Sequence, residues 1–233
     1  MSNLHDKHRM RMRARLRELG LDSFSDHEVL ELLLFHAVPR VNTNEIAHRL
    51  LNRFDTLSGV FDASYEDLLS VDGIGENSAT LISLMLPLMR RYSIDRETPR
   101  RKFASLDEIG AFLVNRFLGI SSERVELLTF DAGDRYMKSF VLNEGSASSS
   151  EINTEKLAEI VFGSGAVKFV LAHNHPNGTL EPSIDDLNST FRIYNAFRCF
   201  NISLVEHFVI ADGKYRGILG QSLANYADSQ YLS

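Results

Sequence analysis

His173, His175, Ser183 and Asp186 fall within one short stretch of this chain, and they are the residues best suited to chemistry. Two imidazoles and a carboxylate are the donor set of a zinc-like ion. Three protein ligands leave the fourth position to water, which is the catalytic arrangement rather than the closed structural one. His173 and His175 are two residues apart, so on an extended segment both side chains leave the same face. The apolar run 167–172, broken only by Lys168, predicts a buried strand that ends at the first histidine. Pro176, Gly178 and Pro182 then forbid regular structure, and a helical pattern begins at Ser183. Ser183 is placed to N-cap that helix. Asp186 falls in its first turn, where the loop can return it to the histidines. Facing a metal, the Ser183 hydroxyl could also donate to an oxyanion, and the two roles are compatible. An isolated His-x-His ordinarily signals nothing; here every polar residue falls at one strand-to-helix junction.

A water activated by such a metal needs a base to move its proton. Residue type alone leaves Glu123, Glu126, Glu151, Glu181, Asp185 and Glu206 in contention. Glu181 and Asp185 lie on the metal loop with neighbours that aim them at solvent. Glu123 could stand beside the metal if its strand lies next to the one ending at His173.

The elements that must position these residues occupy the second half of the chain. Ser105 caps a helix to Phe117, and 123–130 and 135–142 read as a hairpin about Asp131-Ala-Gly-Asp134. Helices are expected over 154–162 and 183–200, and a closing hairpin, 202–211 with 215–219, turns at Asp212-Gly213. Strands and helices mix without strict alternation, so this half reads as α+β around a mixed sheet. Past Gly220 the sequence thins into a polar tail.

The first half reads as all-helical. A basic segment, 1–20, carries Lys7, Arg9, Arg11, Arg13, Arg15 and Arg17, as a helix that pairs with the acidic stretch after it, a frayed tail, or a surface for phosphates. Ser25 and Glu28 form a capping-box pattern ahead of an apolar run that Pro39 ends. Asn42-Thr43-Asn44 starts the next helix, and His36 and His48 lack acidic partners at ligand spacing, so they read as structural or surface residues. Gly73-Ile74-Gly75 then makes a tight turn between a short helix at 64–71 and a longer one at 76–89. Amides at the start of the second helix can meet a phosphate, as in helix-hairpin-helix motifs that hold DNA backbone. Asp72 and Glu76 flank the turn where such motifs often carry Lys or Arg, so a hairpin used only for packing is an equal reading. The polar, arginine-rich stretch 90–102 looks like a linker. The division expected is therefore 1–102, helical, and 103–233, the metal-site domain.

The whole chain bounds the rest. Its 233 residues carry a net charge of −6, which argues against a generally basic nucleic-acid binder. Its one cysteine, Cys199, excludes an internal disulfide and a Cys-based zinc finger. Set in an apolar helical pattern, Cys199 is expected to be a buried thiol. No apolar run approaches the roughly 18 residues of a membrane span, and no signal segment opens the chain. The expected location is the cytoplasm.

These motifs together resemble the RadC family over almost the whole chain. The first half is similar through 25–35, Pro39-Arg40 and Val71-Asp-Gly-Ile-Gly75; the second through His173-Asn-His-Pro-Asn-Gly178, Pro182-Ser183 and Asp186. The spacing matches the JAMM metalloprotease motif of MPN/JAB domains. The resemblance implies a helical helix-hairpin-helix domain followed by an α/β MPN/JAB (cytidine-deaminase-like) mixed-sheet domain. It implies one zinc ion per chain on His173, His175 and Asp186, an oxyanion donor in Ser183, and a catalytic glutamate that falls on Glu123, with Glu126 as fallback. Three departures stand out: Asn177 where the family usually has Ser, Asn153-Thr-Glu where it has Pro-Arg, and Glu206 rather than Asp before His207. The family name also carries an association with DNA repair that the metal motif does not itself support.

The expected activity is a zinc-dependent hydrolase acting on a peptide or isopeptide bond of an unknown peptide or protein substrate. The alternatives are a metal-dependent nuclease brought to DNA by Gly73, Ile74 and Gly75, and a non-catalytic DNA- or protein-binding module.

Overall fold

The computed structural model describes residues 4–38, 41–98, 100–145, 152–176 and 178–220. Pro39, Pro99, Glu151, Asn177 and the polar tail from 221 lie outside the described residues. By packing, the chain separates into two units, Met1–Met89 and Arg90–Ser233.

The first unit is helical: α1 Leu4–Leu19, α2 Asp26–Ala37, α3 Thr43–Phe54, α4 Leu57–Asp62, α5 Tyr65–Leu69 and the start of α6, Glu76–Asp95. Its core is built from Leu30, Leu34, Ile46, Leu50, Leu68 and Ile82, among others. The basic segment is a helix, and its inner cations are used locally. Arg15 forks onto Glu28 at 2.9 and 3.0 Å and lies over the Phe24 ring, while Arg9 donates to the Val38 and Val41 carbonyls. The Arg15 guanidinium, with hydrogen bonds from Ser25, holds the Glu28 carboxyl down at about 2.

The turn between α5 and α6 closes with the Ile74 amide donating to the Val71 carbonyl at 3.0 Å. Gly73 has φ 91° there, and a Cβ would stand 2.9 Å from Ile46 Cγ1, so both backbone and space call for glycine. Ile74 is buried in the core, and the Gly75 carbonyl accepts from Ser78 and Ala79 to open α6.

The second unit is a five-stranded sheet in the order β2-β1-β3-β4-β5, with β1 Glu123–Phe130, β2 Tyr136–Gly145, β3 Lys168–Asn174, β4 Ser203–Ala211 and β5 Lys214–Gly217. Among the described strands only β3 and β4 pair in parallel; the other three pairings are antiparallel, so the sheet is mixed. The β3–β4 crossover is α9, Ile184–Arg198. Period-two alternation sorts the side chains. Val125, Leu127, Phe169 and Leu171 pack on one face with α8, Thr154–Ser164, and α9. Leu128, Phe130, Val170 and Ala172 pack on the other with α7, Leu106–Arg116. The β4–β5 hairpin turns on Asp212 and Gly213, φ 47° and 67°, a two-residue turn of the mirror-image kind that suits twisted strands.

Two sequence readings are corrected. The stretch 90–102 is not an aperiodic linker: α6 runs on to Asp95, and residues 100–101 exchange backbone hydrogen bonds with Tyr136 on β2. Polarity misled there because two of the cations have partners, Arg90 donating to the Leu118 carbonyl and Arg101 pairing with Glu108. Cys199 is exposed rather than buried, since α9 ends one residue before it and its apolar neighbour Phe200 is 63% exposed. His36 and His48 are exposed, as expected. No helix among the described residues is long and apolar enough to cross a membrane.

Candidate metal centre

β3 delivers the two histidines. His173 lies in register with Val125 of β1 and Val209 of β4, and the pairing continues one bond past the strand as the His175 amide donates to the Ile210 carbonyl at 2.9 Å. That bond keeps the backbone extended between the histidines and puts both rings on the α8/α9 face. A turn follows, with the Gly178 amide on the His175 carbonyl; Gly178 has φ 79°, and a Cβ would come within 2.8 Å of Asp212 Oδ2.

The chain then enters α9 through a capping box. Ser183 Oγ accepts the Asp186 amide at 3.1 Å and donates to Asp186 Oδ2 at 2.6 Å, while the Ser183 amide donates to the same oxygen at 2.8 Å. The cap thereby turns the Asp186 carboxylate back over the loop toward the histidines.

The three side chains converge. His173 Nε2 is 3.0 Å from His175 Nε2 and 3.3 Å from Asp186 Oδ1, and His175 Nε2 is 3.5 Å from Asp186 Oδ2. Ligand atoms about 2.1 Å from a tetrahedral ion would be about 3.4 Å from one another. The donor set and its spacing therefore fit a divalent ion, and His173, His175 and Asp186 form a group able to hold one. Electrostatics agree. Burial alone would raise the Asp186 carboxyl, but hydrogen bonds with His173 and His175 hold it far below the usual carboxylate range. The same Asp186 contact raises His175 against its own burial, with smaller contributions from the Thr179 carbonyl and Glu123.

Glu123, at the start of β1, shares the face of His173 and lines a cleft of about 350 Å³ with His173, His175, Thr179, Ser183 and Asp186. Among the described residues its Oε2 is buried without a hydrogen-bond partner. Glu126 is elsewhere: it points to the α7 face, where Arg116 donates to it at 2.6 Å. Glu206 accepts from the amides of His207, Leu219 and Gly220, so it clamps backbone. Glu181 and Asp185 line the same cleft, and Glu181 pairs with Arg216.

Three residues that sequence reasoning missed complete the surroundings. Asn174, between the histidines, points to the opposite face; it accepts the Arg124 amide at 2.8 Å and donates to the Ser122 and Ile120 carbonyls at 3.0 and 3.4 Å. It thus pins the backbone on both sides of Glu123. Behind His173, its Nδ1 lies 2.9 Å from Nε2 of the buried His207, whose Nδ1 lies 2.6 Å from Thr190 Oγ1. Burial, with His173 beside it, pushes His207 well below the ordinary histidine range. The sequence held one signal for this pair, a histidine set in the apolar run of β4.

Gly73, Ile74 and Gly75 lie at the hairpin of the helical unit. There α3 supplies a cation the local sequence lacks: Arg49 contacts the Asp72 carboxylate and donates to its carbonyl, both at 3.2 Å.

A mixed α+β sheet with a His-His-Asp group at a strand-to-helix junction is the arrangement of an MPN/JAB domain. Residues 103–223 match the RadC-like JAB domain family and residues 5–80 the UPF0758 N-terminal family; the chain belongs to the RadC-like UPF0758 proteins. A UPF0758 protein of Fusobacterium nucleatum is 31% identical over 225 residues, covering 93% of this chain and 96% of its own. One of Pseudoalteromonas translucida is 28% identical over 200 residues, covering 86% and 89%. One of Paraburkholderia xenovorans is 28% identical over 198 residues, covering 85% and 78%.

Proposed function

We propose that this protein is a zinc-dependent hydrolase of the JAMM type that cleaves a peptide or isopeptide bond. The observation that carries the reading is the convergence of His173, His175 and Asp186 with the unpartnered Glu123 oxygen in one cleft. A zinc ion held by those three residues supplies Lewis acidity, making water a nucleophile near neutral pH and polarising a carbonyl. Glu123 takes the proton of the attacking water and returns it to the leaving amine. Its bare oxygen is free to do so, whereas Glu126 is committed to Arg116. Ser183 orients Asp186 through the capping box, and its hydroxyl can turn to a developing oxyanion once the carboxylate is otherwise engaged. One metal site with one carboxylate suits acyl chemistry better than phosphodiester cleavage, which often uses two metals.

Metal content of the purified chain tests this first. The wild type should hold about one zinc per chain and the His173→Ala/His175→Ala variant none. A wild type that cannot be loaded with zinc rejects the hydrolase reading.

The hairpin supports a second reading, in which the helical unit binds DNA backbone through Gly73, Ile74 and Gly75. The turn has the close glycine-bounded geometry such a contact needs, and Arg49 stands beside it. This reading expects salt-sensitive DNA binding that survives metal removal, and plasmid nicking abolished by His175→Ala if the chain is a nuclease.

A further inference from the structure

The His173 ring is the end of a buried chain of hydrogen bonds that the proposed chemistry does not use. Thr190 Oγ1 lies 2.6 Å from the Asp186 carbonyl and 2.6 Å from His207 Nδ1, and His207 Nε2 lies 2.9 Å from His173 Nδ1. Counting protons gives each bond its direction. A carbonyl only accepts, so the single hydroxyl proton of Thr190 goes to Asp186. The Thr190 oxygen must then accept on its other side, which places a proton on His207 Nδ1. His207 is fully buried, and among the described residues no carboxylate meets either ring nitrogen, so it carries that one proton and its Nε2 is a bare acceptor. His173 therefore donates from Nδ1, which leaves Nε2, the atom facing His175 and Asp186, for a cation.

We infer that Thr190 and His207 are positioning residues that fix the tautomer of His173, presenting its Nε2 ready for a divalent cation. The inference rests on the reading of His173 as a metal ligand. His175 reaches the same state by a shorter route, because its Nδ1 faces the Thr179 carbonyl at 2.9 Å and must donate to it. The two Nε2 atoms then face each other across 3.0 Å, with the Asp186 carboxylate beside them, as a divalent cation between them requires. The chain also ties two ligands together, since it starts on the backbone of Asp186 and ends on the ring of His173. Partners of this kind typically change metal affinity by about 10–100-fold when removed.

The test uses the full chain as wild type, Thr190→Val and Thr190→Ser, with zinc affinity read by competition against a chromophoric chelator. Valine keeps the shape of threonine and deletes only the hydroxyl; serine keeps the hydroxyl. Zinc should bind about 10–100-fold more weakly to Thr190→Val and within about threefold of wild type to Thr190→Ser. Equal affinity in wild type and Thr190→Val overturns the relay and leaves the metal site standing. A wild type that takes up no zinc overturns the metal reading instead. The relay is still decided then by nitrogen-detected ring spectra of the metal-free wild type. A His173 ring protonated at Nδ1 upholds it, and a ring with a bare Nδ1 overturns it.

Discussion

The Ser183 hydroxyl donates a hydrogen bond to the Asp186 carboxylate, Oγ to Oδ2 at 2.6 Å, while accepting one from the Asp186 amide at 3.1 Å. In this arrangement the serine is first an orienting group for a candidate ligand. Ser183→Ala should cost about 0.5–2 kcal/mol of stability through the lost cap, and zinc affinity should fall with it. Ser183→Thr, which keeps the hydroxyl, should retain most of both. Thermal melts and zinc titrations of the two variants check this. If Ser183→Ala lowered turnover alone, with melting and zinc affinity unchanged, the serine would act only on the oxyanion.

Glu123 and Glu126 are three residues apart on one strand and leave opposite faces, so they should fail differently. Glu123→Gln should keep its zinc and lose hydrolysis by about 10²–10⁴-fold. Glu126→Gln should keep the site and lose about 1–3 kcal/mol, because it weakens a buried bond to Arg116. Zinc content, turnover and melting temperature of the pair separate the roles. Full turnover in Glu123→Gln would remove it as the base.

Asn174 holds the Ser122 carbonyl and the Arg124 amide, and so frames Glu123. Asn174→Ala should release that backbone, with amide exchange at Arg124 accelerated at least tenfold and about 1–3 kcal/mol of stability lost. Zinc affinity should change little, because Asn174 faces away from the ligands. Residue-resolved hydrogen exchange checks it, and an Arg124 amide as protected as in wild type would refute the framing role.

Acid should loosen the helical unit through Glu28. Its carboxyl titrates near 4.5 when free and is held at about 2 here, chiefly by Arg15. A depressed carboxylate contributes stability that is present above pH 4.5 and disappears as pH falls toward 2. The wild type should therefore lose stability across that window, and Glu28→Gln should show a shallower slope there. Chemical denaturation at stepped pH measures the difference; identical slopes would assign the acid sensitivity to other groups.

The sequence showed most of what is local and little of what is distant. The strand before His173, the cap at Ser183 and the turn at Asp212-Gly213 are each set by neighbours within a few residues, and all are present. Glu123 could be chosen from the residues only by supposing which strand lay beside β3, and the β1–β3 register supplies that. Thr190 and His207 were hard to read, because beyond a histidine in an apolar run each looks ordinary in its own element. Their meaning comes from contacts spanning 17 and 34 positions, made when α9 returns the chain to the sheet. The arginines of 90–102 were misread for the same reason, since polarity does not announce which cations will find distant partners.

The exposed Cys199 has a practical consequence. It is the only thiol in the chain, and it caps the end of α9 opposite Asp186. Thirteen helical residues place it about 20 Å from the candidate ligand, within range of energy transfer to a coloured metal ion. One maleimide dye on the unmutated protein would thus report occupancy of the centre by cobalt or copper as quenching, in real time and without engineering a labelling position.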